Sequence, residues 1–178
     1  WGAKDGICPN CEKAVIFLLN GGREWLIRPK VPSRSPVPAQ VPTALAEDYK
    51  EACLVLADSS KASAALSRRC LQNLLREFGN VKPSDLAKEI QEVLDARRLP
   101  SHLADAVDSV RHIGNFAAHP IKSQQTGQIV EVEPGEAEWL LDVLESLFDF
   151  YFVQPELLKK KREALNQKLA DAGKPPMK

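Results

Sequence analysis

After Pro42 the apolar residues recur at helical spacing. Leu45, Tyr49, Ala52, Cys53 and Leu56 stand at i, i+4, i+7, i+8 and i+11, which predicts a helix over residues 44–57 with Thr43 as its cap. Asp58-Ser59-Ser60 breaks the pattern and offers the next cap. Ala62, Ala65, Leu66, Leu71, Leu74, Leu75 and Phe78 predict a second helix over 61–78, closed by Gly79-Asn80. Ser84 is placed to cap a third, with Leu86, Ile90, Val93 and Leu94 inward, and Leu99-Pro100 closes it. Ser101 caps a fourth, in which Leu103, Val107, Val110, Gly114, Ala117 and Ala118 share one flank until Pro120 stops it. Residues 121–133 lack helical periodicity. Over 128–132 the chain is expected to be extended, after a mobile polar loop placed to cover His119. Trp139, Leu140, Val143, Leu144, Leu147, Phe148, Tyr151 and Phe152 then give a last core helix, from Glu133 and Pro134 to about Val153, with Pro155 interrupting it. A charged helix follows and frays toward Gly173.

Before Pro42 the pattern changes. Residues 14–19 form a short apolar run ended by Asn20-Gly21-Gly22, and residues 24–28 are placed to pair back on it as a hairpin. Prolines at 29, 32, 36, 38 and 42 forbid a regular ladder and predict an extended linker. The expected fold class is therefore all-α. A bundle of about five core helices over 44–153 follows a small hairpin over 1–28 and a linker over 29–43, and a charged tail over 154–178 closes the chain.

With 178 residues and 44% apolar content the chain can bury one good core. Lys and Arg number 24 and Asp and Glu number 24, so overall charge gives no reason to expect a nucleic-acid or membrane partner. The concentrated basic cluster is Lys159-Lys160-Lys161-Arg162, a run that a solvated helical face explains. No apolar run is long enough to cross a bilayer and the start lacks signal-peptide regions, so no membrane partner and a cytoplasmic location are expected. The sequence begins at Trp1 rather than Met, and further residues are expected in front of it.

Two kinds of cysteine are present. Cys8 and Cys11 form C-P-N-C, a knuckle whose thiolates can hold half of a tetrahedral Zn²⁺ site. The readings are a structural zinc ribbon whose partner pair precedes Trp1, or an unmetallated remnant; a redox pair has less support without a strand–helix alternation. Cys53 and Cys70 sit among apolar neighbours and read as small buried hydrophobes. The other concentration of chemistry is DSVRHIGNFAAHP, residues 108–120. On a helix Arg111, Asn115 and His119 project from one flank, with Asp108 and His112 beside them.

The segments SSKASAALSRRCLQNLLREFG, RHIGNFAAHP and EPGEAEWLLDVLESLFDFYF together resemble the HEPN superfamily of helical, nucleic-acid-associated domains. They look most like its uncharacterised branch, found alone or fused to subunits of restriction systems, and the upstream knuckle and proline-rich linker are similar to that branch too. The resemblance implies a homodimer, an RNA or other nucleic-acid partner, a role in defence against foreign nucleic acid, and metal-independent ribonuclease activity. It matches His119 to the motif histidine and Asn115 to the motif's polar residue. In active members an arginine directly precedes that polar residue; Gly114 holds this position here, and Arg111 stands one turn earlier.

Were the site catalytic, His119 would be the base or acid for 2′-hydroxyl attack on the adjacent phosphate, and Arg111 would stabilise the phosphorane. Asn115 would orient the histidine or ribose, and His112 would be a second proton carrier from the facing copy. The competing expectation is structural: Asn115 and His119 fix the helix end, Arg111 pairs with Asp108, and the domain is a non-catalytic dimerisation or nucleic-acid-binding module. Of the Arg68-Arg69 pair, one arginine is expected in a salt bridge and the other in solvent. No P-loop, G-x-S-x-G or H-E-x-x-H motif supports another enzyme class.

Overall fold

The computed structural model describes residues 1–32, 34–118, 132 and 134–177, with residues 112–118 and Pro134 described as backbone alone. The chain divides into two compact units, Trp1–Ser35 and Pro36–Lys178. The first is a three-stranded antiparallel sheet in the order β1 (Gly2–Ile7), β2 (Ala14–Asn20), β3 (Arg23–Arg28). Asn20 pairs with Arg23 across a two-residue turn in which Gly21 and Gly22 have φ of +54° and +77°. Two successive positive φ values define a type I′ turn, whose twist matches the strands it joins, and glycine adopts them without strain.

Strands β2 and β3 follow the expected hairpin, whereas β1 has no apolar alternation to announce it. It pairs from Gly2 with Leu19 to Ile7 with Ala14, so its place is set by the ladder and by the connection through Cys8 and Cys11. None of the described residues of this unit is buried.

The second unit is mainly helical: α1 (Thr43–Val55), α2 (Ser60–Phe78), α3 (Leu86–Asp95), α4 (Ser101–Ala118), α5 (Pro134–Phe148) and α6 (Gln154–Asp171). Helix α2 is central and packs against α1, α3, α4 and α5. Ser59 caps it, accepting from the Ala62 N–H at 3.1 Å. Asp85 rather than Ser84 caps α3, accepting from the Lys88 N–H at 3.0 Å. Thr43 is the first residue of α1 and makes no cap; Pro42 precedes it.

Leu45, Leu74, Leu75, Ile90, Val107, Val110, Leu141, Leu144 and Leu147 are fully buried between these helices. Phe148 joins them, its ring edge-on to Tyr49 at 5.5 Å between centroids. Trp139, expected in the core, is instead exposed on α5.

Pro155 interrupts the last core helix, as expected, through a change of helical geometry. Residues Asp149–Val153 form a π-helical turn between α5 and α6, closed by the Gln154 N–H on the Asp149 carbonyl five residues back. A proline lacks an N–H and its ring collides with the carbonyl four residues earlier in α geometry; the wider turn relieves both. Helix α6 buries none of its residues, and Lys159, Lys160, Lys161 and Arg162 are solvated as expected. Among the described residues no helix is long and apolar enough to cross a membrane. The expected strand over 128–132, the loop before it and Glu133 lie outside the described residues, apart from Val132, which is buried.

Candidate functional site

Helix α4 buries Leu103, Val107 and Val110, at i, i+4 and i+7, which turns its opposite flank away from the core. Arg111, one turn after Val107, stands half-buried at the edge of that apolar stripe, and its guanidinium is engaged. One Nη donates to Gln91 Oε1 of α3 at 2.6 Å, and the other donates to Asp108 one turn back, forming an ion pair. Its Nε is removed from water and has no partner among the described residues. The Arg111 side chain is 28% exposed and that of Asp108 42%. The arginine therefore ties α4 to α3 while its carboxylate partner faces solvent.

The α4 backbone remains helical to Ala118, placing Arg111 and Asn115 one turn apart on the same flank. The side chains of His112 and Asn115, and all of His119, lie outside the described residues.

The other features of note on the bundle were not legible as a site. Glu89 is completely buried, and its Oε1 accepts from Arg76 Nε at 2.7 Å and from the Ser84 N–H at 2.6 Å. The Ser84 carbonyl in turn accepts from Arg76 Nη2 at 2.9 Å and Gln72 Nε2 at 3.1 Å. This cluster fastens the α2–α3 connection to both helices. Of the paired arginines, Arg69 bridges to Asp48 at 2.6 Å and Glu51 at 3.5 Å. Arg68 is not solvated as expected: its Nη1 is buried without a partner among the described residues, and burial lowers its pKa. The 100° step between neighbours sends Arg69 toward α1 and leaves Arg68 on the flank of Gln72 and Arg76. A cleft of about 510 Å³ is lined by His102, Leu103, Glu145, Asp149, Phe150 and Gln154. Its carboxylates are already bonded, Glu145 by the Tyr49 hydroxyl and Asp149 by Gln154 at 3.0 and 3.2 Å.

In the sheet unit, Cys8 and Cys11 sit on a tight loop. The Cys8 N–H donates to the Lys13 carbonyl at 2.9 Å and the Glu12 N–H to the Cys8 carbonyl at 2.8 Å, with Glu12 at a φ of 55°. Backbone donors at Asn10 and Cys11, and then the Cys11 side chain, hold the Cys8 thiol below its usual pKa. Such donors also stabilise a metal-bound thiolate, so the knuckle fits the expected Zn²⁺ half-site. Among the described residues no group of three or more His, Cys, Asp or Glu side chains is placed to hold a metal. Cys53 and Cys70 are buried thiols, as their apolar neighbours predict.

These features define a helical bundle with one polar-flanked helix, preceded by a small cysteine-bearing sheet. The chain belongs to the family described as a domain of unknown function (DUF4145), which matches residues 50–168 and so spans the bundle from α1 into α6. No curated protein and no solved structure matches the chain.

Proposed function

We propose that the chain is a HEPN-like module of a protein directed against foreign nucleic acid, and that its helical unit acts by self-association and nucleic-acid contact rather than by cleavage. The observation that carries this reading is the engagement of Arg111. Stabilising a phosphorane needs a guanidinium fork free to meet two phosphate oxygens. Arg111 spends both Nη groups on Gln91 and Asp108, and the Asp108 carboxylate repels an incoming phosphate. In this reading Arg111 is a tie between α3 and α4, and two copies associate through the helical unit as the resemblance implies.

A ribonuclease is the second reading, and the shared flank of Arg111 and Asn115 favours it. It requires Arg111 to leave Asp108 and turn to RNA, with His119 exchanging the protons, Asn115 orienting it and His112 arriving from the facing copy. Incubating labelled RNA with the protein in EDTA, beside His119→Ala and Arg111→Ala, separates the two. The RNA is expected to stay intact in all three. Chelator-resistant cleavage that falls about 100-fold or more in both variants would overturn the first reading and establish the second.

Cys8 and Cys11 supply two thiolates to a structural Zn²⁺ under this proposal, and two further donors from outside the described residues complete the tetrahedron. What supports it is that the sheet unit buries none of its described residues, and units this small are held by metals or disulfides when they lack a core. Metal analysis of the protein is expected to find zinc that Cys8→Ser removes. Zinc content unchanged by that substitution would contradict the assignment.

A further inference from the structure

The sheet unit carries a surface that the helical site does not account for. In an antiparallel ladder, directly paired residues share a face and successive residues alternate. The pairs Asp5 with Ile16, Leu18 with Trp25 and Asn20 with Arg23 therefore place Asp5, Ile16, Leu18, Asn20, Trp25 and Arg23 on one side of the sheet, and an irregularity in the β2–β3 register at Ile16/Phe17 brings Arg28, paired with Ile16, onto the same side. Trp1 is on this side too, its ring 6.0 Å from that of Trp25 between centroids. The two rings are not in a core: Trp1 is 83% exposed and Trp25 41%. Arg23 and Arg28 are exposed, and among the described residues neither side chain has a hydrogen bond or ion pair. A cleft of about 330 Å³ opens at the edge of this face, lined by Trp1, Asn20, Gly21, Gly22, Arg23 and Glu24. Glu24 belongs to the opposite face, where Lys4 lies 3.9 Å away.

Charge selects the occupant. The whole chain is neutral, but residues 1–35 hold six Lys and Arg against three Asp and Glu, and on the face of Trp1 and Trp25 the two arginines, Arg23 and Arg28, outnumber the one carboxylate, Asp5. Exposed indole rings stack on bases of any sequence, and unpaired arginines on either side of Trp25 meet phosphates. A side-chain amide such as Asn20, at the cleft, can bond a base edge. A duplex hides its base faces, whereas a single strand offers them.

We infer that the Trp1–Trp25 face of the sheet binds single-stranded nucleic acid, with bases stacked on the two indoles and the backbone held by Arg23 and Arg28. This inference deepens the proposed nucleic-acid role and rests on it, but it does not depend on cleavage.

Fluorescence anisotropy of the protein with a labelled single-stranded DNA at low salt reads it directly, because DNA lacks the 2′-hydroxyl that self-cleavage needs. The same RNA sequence and the DNA duplex serve as the other arms. Both single strands are expected to bind, and the duplex more weakly. Trp25→Ala is expected to weaken binding about tenfold, Trp25→Phe to restore most of it, and the pair Arg23→Glu with Arg28→Glu to weaken it and flatten its salt dependence. Trp139→Ala, which removes the exposed indole of the helical unit, should leave it unchanged, which keeps this result separate from the fate of the helical site. Absence of binding to either single strand would overturn the inference. So would equal affinity in the Trp25→Ala and arginine variants, or a Trp25→Ala variant that loses self-association while its affinity for the strand is unaltered, since the face would then be an interface between copies.

Discussion

Arg76→Ala is expected to destabilise the helical unit by about 3 kcal/mol, the low end of what removing one partner of a buried ion pair does. The low end applies because the Arg76 side chain is 35% exposed, whereas that of Glu89 is wholly buried. The substitution leaves the Glu89 carboxylate with only the Ser84 N–H on Oε1, and its Oε2 already has no partner among the described residues. It also removes the Arg76 bond to the Ser84 carbonyl, so the α2–α3 connection loses two of its anchors. Urea unfolding followed by helical circular dichroism measures the loss. Replacing the pair together, as Arg76→Met with Glu89→Leu, is expected to recover most of it, because an apolar pair of similar volume carries no stranded charge. A single variant within about 0.5 kcal/mol of the parent would mean that water reaches Glu89 when Arg76 is gone.

The second large effect is alkaline. Cys70 is fully buried on α2, and its Sγ donates to the Leu45 carbonyl at 3.4 Å. Burial, and then the nearby Asp48 carboxylate, push its thiol up from 9.0 to about 12. A raised folded pKa means that the unfolded chain loses this proton first. Stability from the buried thiol is therefore complete below about pH 9 and falls as pH rises through the interval to 12. With one more proton on the folded state, the slope is about −1.4 kcal/mol per pH unit, on the order of 4 kcal/mol across the window. Tyr49, raised mainly by burial and then by its bond to Glu145, steepens the fall above pH 10. Denaturation midpoints across this range are expected to drop steeply for the parent and more gently for Cys70→Ala. Identical slopes in the two proteins would contradict the buried-thiol origin.

How much of this was legible depended on whether a residue's own chemistry announced its place. The core helices were readable because apolar residues such as Leu45, Tyr49 and Ala52 or Leu103, Val107 and Val110 repeat at the period of the helix, and the hairpin because Gly21-Gly22 admits a type I′ turn. Helix α2 shows where periodicity misleads. Ser63 and Ser67 are not among the apolar positions that predict the helix, yet both are buried with hydroxyls lacking partners among the described residues, while Ala65, one of those positions, is exposed. Strand β1 was not readable, since its pairing is supplied by β2 rather than by its own apolar pattern. The buried Glu89 was not readable either: a carboxylate in an amphipathic helix looks solvated until the arginine opposite it is known.

At the candidate site helical spacing was enough to name Asp108 as a partner for Arg111. Gln91 was missed because the contact is made across α3, twenty residues away, by a neutral amide with no motif around it. That amide is what converts Arg111 from a residue beside a carboxylate into a connection between helices.

A double-mutant cycle on Arg111 and Gln91 therefore bears on the function most directly. Arg111→Ala, Gln91→Ala and their combination, unfolded in urea, should show a coupling of about 1 kcal/mol, the size of a hydrogen bond to a charged group at a partly exposed site. Arg111→Ala alone should lose more than that, because Asp108 is left without its partner. A coupling of zero, with Arg111→Ala as stable as the parent, would contradict the structural role and leave the arginine free for phosphate.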